Sequence, residues 1–146
     1  MTLGQEEWGE GVNKREVNYP LMENAGDLRA ASGRSAAAIG LETLAELSPD
    51  DLQIGADTLR AQAAVAQGAG FTQLGENLTR AAELTAVPNE ELLGMYEIMR
   101  PGRSTYEQLQ EMATRLESHY HATTTATMVR EAAEVYRQRN LLKRER

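Results

Sequence analysis

The chain is predicted to be all-α, with several short helices and two longer C-terminal helices behind an extended N-terminal arm. Three observations carry this. Apolar positions after residue 41 recur at spacings of 3 and 4, helix caps and breakers punctuate them at helix-length intervals, and no strand-like alternation competes. The organisation expected is an arm over residues 1–40, partly irregular, and a helical domain over residues 41–146.

The arm is rich in Gly, Ala, Asn and Ser, with scattered large side chains such as Trp8, Tyr19 and Leu28. Such a segment cannot offset its ordering entropy by burying its own surface, so it is expected to lie along another surface. Tyr19-Pro20-Leu21 is the expected anchor, because Pro20 favours an extended approach.

Leu41, Leu44, Ala45 and Leu47 form one or two turns. Ser48-Pro49-Asp50-Asp51 then reads as an N-cap, a Pro at the first helical position and acids in the first turn. An Ala-rich helix over residues 56–69 places Leu59, Ala63 and Ala66 on one face, with Gly70 in the left-handed position after it. A third helix carries Phe71, Leu74, Leu78, Ala81, Ala82 and Thr85 and stops at Val87-Pro88. Pro88 opens a fourth, carrying Leu92, Tyr96 and Met99, which Arg100-Pro101-Gly102 closes.

Ser104 and Glu107 read as the capping box of a fifth helix, along which Tyr106, Leu109, Met112, Ala113, Leu116 and Tyr120 follow at spacings of 3 and 4. The β-branched run Thr123, Thr124, Thr125 and Thr127 marks a break or weak point. Beyond it Val129, Ala132, Ala133, Tyr136 and Asn140 resume one face, while Arg130 and Arg137 are placed to reach Glu134.

Size does not limit burial in a chain of 146 residues and 16.1 kDa, but composition does. Leu, Ile, Val and Phe together number 27, whereas Ala alone numbers 21, and only seven side chains are aromatic. That apolar supply is thin for an independent enzyme with a deep pocket, and it favours a subunit that leans on a partner. The absence of Cys excludes a disulfide scaffold, thiolate zinc sites and a Cys nucleophile, and it suits a reducing cytosol. Residues 1–20 lack an apolar signal core, and the longest uncharged stretch, residues 61–75, is shorter than a membrane span requires. With a net charge of −7, nucleic acid is a poor partner for the whole chain.

The candidate chemistry is sparse. His119 and His121, the only histidines, point in opposing directions on a helix and would share a metal only if the chain were extended there. Gly68-Ala69-Gly70 lacks the third glycine of a nucleotide loop and follows a helix, so it reads as a helix-to-helix turn. The basic end, with Arg137, Arg139, Lys143, Arg144 and Arg146, is what a helix macrodipole favours without any ligand. Arg100 and Arg103 flank the Pro-Gly bend, where two guanidinium groups are placed to meet carboxylates on a partner. No nucleophile stands beside an evident base.

Several ordered blocks are more specific: Val17-Asn18-Tyr19-Pro20-Leu21; Asp57-Thr58-Leu59-Arg60 with Gln62-Ala63; and Arg80-Ala81-Ala82-Glu83-Leu84-Thr85-Ala86-Val87-Pro88. Tyr96, Arg100-Pro101, Arg103-Ser104 and the run from Val129 to Tyr136 with Arg139 continue them. Together they resemble the small (gamma) subunit of adenosylcobalamin-dependent diol and glycerol dehydratases. Asn18 stands where that family usually has Asp, and Gly102 where it has a bulky residue.

The resemblance implies a mainly helical, non-catalytic subunit of a dimer of heterotrimers. The large (alpha) subunit would hold the substrate in a barrel, and the medium (beta) subunit would help to bind adenosylcobalamin. The implied reaction is radical dehydration of 1,2-propanediol or glycerol to an aldehyde, in the cytoplasm and often inside a bacterial microcompartment. The expected contact set is Tyr19, Pro20, Arg100, Arg103, Arg130, Tyr136 and Arg139, with no catalytic, cofactor or metal residue, no nucleic acid and no membrane. The alternatives are a free-standing helical adaptor and a metal-dependent hydrolase using His119 and His121.

Overall fold

The computed structural model describes residues 28–144, so the expected anchor at Tyr19-Pro20 and the rest of residues 1–27 lie outside the described residues. The fold is all-α. Three 3₁₀ turns, Ala36–Ala38, Leu41–Glu46 and Pro49–Asp51, lead into α1 (Ala56–Gly68), α2 (Thr72–Leu84), α3 (Asn89–Ile98), α4 (Tyr106–Tyr120) and α5 (Thr123–Gln138). Helices α1 and α2 pack as one hairpin and α4 and α5 as another, with α2 also touching α5 and α3 touching α4.

The described segment before α1, residues 28–55, is held by polar groups, since it buries no apolar side chain. Ala30 bridges to Ile54, and the Ala31 amide donates to the Gln53 carbonyl at 3.0 Å. At its centre the Asp51 carboxylate accepts from the Ser32 hydroxyl at 2.6 Å and the Ser48 amide at 2.7 Å, with Arg34 3.2 Å away. These donors, the Ser32 hydroxyl foremost, lower its pKa from 3.8 to about 2. The linkage therefore favours the folded segment fully above pH 3.8 and is lost as pH falls from there towards about 2. Amide exchange across the Ser32–Gln53 region should accelerate through that acid window, and Asp51→Asn should show loosened exchange already at pH 6 with no further change below it. An unaltered acid profile in Asp51→Asn would exclude this carboxylate as the fastener.

Helix α1 follows the expectation: Leu59, Ala63 and Ala66 are buried, and Gly70 takes φ +86° as the Phe71 amide donates back to the Ala66 carbonyl at 2.8 Å. Close packing needs small residues here, because a Cβ on Gly75 of α2 would lie 2.4 Å from Gln67 Cγ and 3.2 Å from the Ala63 carbonyl oxygen.

Helix α2 corrects the expected face. Gly75 and Ala82 are its buried positions, whereas Phe71 is 64% and Leu74 50% exposed. Helix α3 departs at one position: Met95 is buried with Leu92, Ile98 and Met99 beside it, whereas Tyr96 faces out with Leu93. In both cases the period marks an apolar stripe without saying what covers it.

The main core joins Val87 and Met95 to Leu109, Met112, Ala113 and Leu116 of α4 and Ala126, Val129 and Ala133 of α5. The cap of α4 lies one residue later than expected. Thr105 accepts from the Gln108 amide and the Thr105 amide donates to the Gln108 side-chain oxygen, while Ser104 is buried with its hydroxyl donating to the Ile98 carbonyl at 2.7 Å. The expected break falls just before the Thr run, at His121, which adopts φ 54° and lets the Ala122 amide reach the Leu116 carbonyl. Leu116 and Ala122 are both buried, as that left-handed closure favours. Asn140 lies beyond the core face, ending α5 at φ 56°.

Candidate docking surface

Polar clasps fix the helices relative to one another. The Glu83 carboxylate of α2 accepts from the Thr124 amide at 2.9 Å, the Thr125 amide at 2.8 Å and the Thr125 hydroxyl at 2.7 Å. Ala122, at the N-cap of α5, has no side chain to do this, so α2 supplies the cap in its place. Glu91 of α3 accepts from the Tyr120 hydroxyl and pairs with Arg115, both at 2.5 Å; these donors hold its carboxyl below the usual range, and the carboxylate in turn raises the Tyr120 phenol. Tyr106 donates to Glu134 at 2.5 Å, which raises its phenol, and Arg137 both pairs with Glu134 and lies 4.9 Å over the Tyr106 ring.

Side chains that would serve a partner lie outside these clasps. At the start of α2, its N-cap Phe71 and Leu74 are exposed in a line that continues through half-buried Leu78 to exposed Ala81. Leu41 and Leu44 share a face of their 3₁₀ turn at 89% and 64% exposure, and Leu93 and Tyr96 share a face of α3 at 68% and 59%. Large apolar groups thus stand in water on three separate elements, beside a core rich in Ala.

Of the expected contact set, Arg100 and Arg103 converge on Glu97, at 3.0 and 3.4 Å. Arg130 is tied to Glu117 across the α4–α5 seam and does not meet Glu134. Tyr136 is half-buried, and its hydroxyl donates to the Met99 carbonyl at 2.6 Å. Arg139 is exposed at the end of α5. Beside the Pro-Gly bend, the Gly102 amide donates to the Leu141 carbonyl and the Lys143 amide to the Ser104 carbonyl, at 2.7 and 2.8 Å. An open groove of about 420 Å³ runs there, lined by Pro101, Gly102, Asn140, Leu141, Leu142 and Arg144.

Both histidines are exposed, with His119 edge-on to the Tyr120 ring at 4.8 Å. Among the described residues no group of three His, Asp or Glu side chains is disposed to hold a metal ion, and no helix is long and apolar enough to cross a membrane.

Sequence reasoning missed the Glu83 clasp, the outward turn of α2 and the exposure of Tyr96 on α3. The signal for the first was a Thr-rich helix start preceded by Ala122, which leaves amides without a local acceptor.

Residues 14–143 match the family model described as the dehydratase small subunit. The propanediol dehydratase small subunit of Salmonella typhimurium is 40% identical over 138 residues, which cover 92% of this chain and 80% of that protein. Its counterpart of the same name from Citrobacter freundii is 39% identical over 130 residues, covering 87% and 76%.

Proposed function

Because the chain belongs to the dehydratase small subunit family, we propose that it supports the assembly and stability of an adenosylcobalamin-dependent diol or glycerol dehydratase without contributing a catalytic group. The observation that carries this is the exposed apolar side chains of α2 and α3 on a chain whose own core is built largely from Ala, Leu and Met. Covering Phe71, Leu74, Leu93 and Tyr96 would supply the driving force for docking on a large subunit, at about 25 cal/mol per Å² of apolar area.

In this reading the enzyme is a dimer of heterotrimers of large, medium and small subunits, cytoplasmic and packaged in a microcompartment where one is made. Its reaction converts 1,2-propanediol or glycerol to an aldehyde and water. Adenosylcobalamin supplies the radical that starts such chemistry. The described residues do not fit that cofactor: the groove beside Pro101 is open, and the two imidazoles lie on exposed surface rather than facing an apolar cavity. The cofactor and the reacting groups are therefore assigned to the larger subunits. What this chain does for the reaction is mechanical, clamping the substrate-bearing subunit so that water is kept from reactive intermediates.

Co-expressing large and medium subunits with and without this chain tests the role. Soluble, active dehydratase is expected only when all three are present; full activity from the pair alone would refute a supporting function. The reading of the chain as a free-standing adaptor predicts instead a soluble chain that ignores both subunits.

A further inference from the structure

Leu93, Tyr96 and Arg100 recur at i, i+3 and i+7, so they share one face of α3 and the turn that extends it. Arg100 and Arg103 stand out in solvent at 65% and 62% exposure, yet both are steered to one side by the single Glu97 carboxylate. The C-terminal segment closes against the same bend through the Lys143 amide, and Arg144 lines the groove there with Pro101 and Gly102. A chain of net charge −7 thus brings Arg100 and Arg103 together on Glu97, with Arg144 at the groove beside the same bend and two large apolar side chains exposed on α3.

Guanidinium groups carry five N–H donors each, and one shared carboxylate leaves most of them for another acceptor. Exposed Tyr and Arg beside each other, with an apolar neighbour, are the composition of a binding hot spot. We infer that this face receives an apolar socket rimmed by Asp or Glu carboxylates on the large dehydratase subunit, with Tyr96 and Leu93 as the plug and Arg100 and Arg103 as its charged rim. The inference rests on the small-subunit reading and adds the partner's chemistry to it. In this arrangement Glu97 holds the two arginines ready and partly masks their charge.

The test is co-purification of the three co-expressed subunits at low and high salt. Arg100→Glu with Arg103→Glu should cut recovery of this chain in the complex at least tenfold, and Tyr96→Ala with Leu93→Ala similarly. Glu97→Gln is the discriminating variant. It frees both guanidinium groups, so recovery should be kept or raised at low salt and fall more steeply as salt increases. If the ion pairs are merely structural, Glu97→Gln will be as damaging as the charge reversal, and the inference fails. It also fails if the reversed arginines assemble as the unaltered chain does, or if the basic face retains duplex DNA with the same sensitivities. Should Phe71→Ser with Leu74→Ser abolish recovery while both α3 variants assemble normally, the small-subunit role survives and this face is excluded from it. Failure of the unaltered chain to co-purify would instead remove the small-subunit reading itself.

Discussion

Replacing Glu83 with Ala is expected to destabilise the helical domain by about 2–3 kcal/mol and to fray the first turn of α5. The carboxylate satisfies two backbone amides and one hydroxyl on Thr124 and Thr125, and Thr125 is only 3% exposed. Water could not readily replace an acceptor at that buried hydroxyl, so its loss costs more than one cap bond. The negative charge also opposes the positive end of the α5 dipole, which Gln would not reproduce. Glu83→Gln should therefore fall between the unaltered chain and Glu83→Ala. Hydrogen exchange at Thr124 to Val129, with urea midpoints for the three proteins, measures it. Equal midpoints would mean that α5 is held by packing alone.

The second large effect separates core from docking surface. Leu109 is fully buried, and Leu109→Ala should cost about 3–4 kcal/mol of stability through lost burial and a residual cavity. Phe71 is larger but 64% exposed, so Phe71→Ser should leave the unfolding midpoint of the dilute chain nearly unchanged while lowering its recovery with the large and medium subunits. A loss of chain stability in Phe71→Ser comparable with that of Leu109→Ala would place Phe71 in the core and remove the α2 stripe as a contact.

The same two residues show what could be read from the sequence. Leu109 belongs to a helix whose spacing, length and burial agree, because α4 meets its partner helix α5 within the chain. Phe71 belongs to an equally regular period, but regularity reports only that an apolar face exists. Which side of α2 is covered here was decided by Gly75 and Ala82, whose smallness allows a close approach. Caps were legible to within a residue: Ser104 and Thr105 are both cap formers, followed three positions on by Glu107 and Gln108. Burial of Ser104 settled the choice. His121 gave no warning of its left-handed backbone, since Gly or Asn is the usual residue at such a stop. Arg130 had carboxylates available in sequence and in space, and the antiparallel α4 offered the nearer one in Glu117.

The clasp between α2 and α5 also bears on how the polypeptide is made. Its acceptor precedes its donors by more than 40 positions, so during synthesis α2 has left the ribosome well before Thr124 appears. The last helix can thus be started by a carboxylate already in place, instead of waiting for its own rare nucleation. A circularly permuted chain that delivers α5 first would lose that head start, so its α5 should fold later during translation even if the final structure is the same.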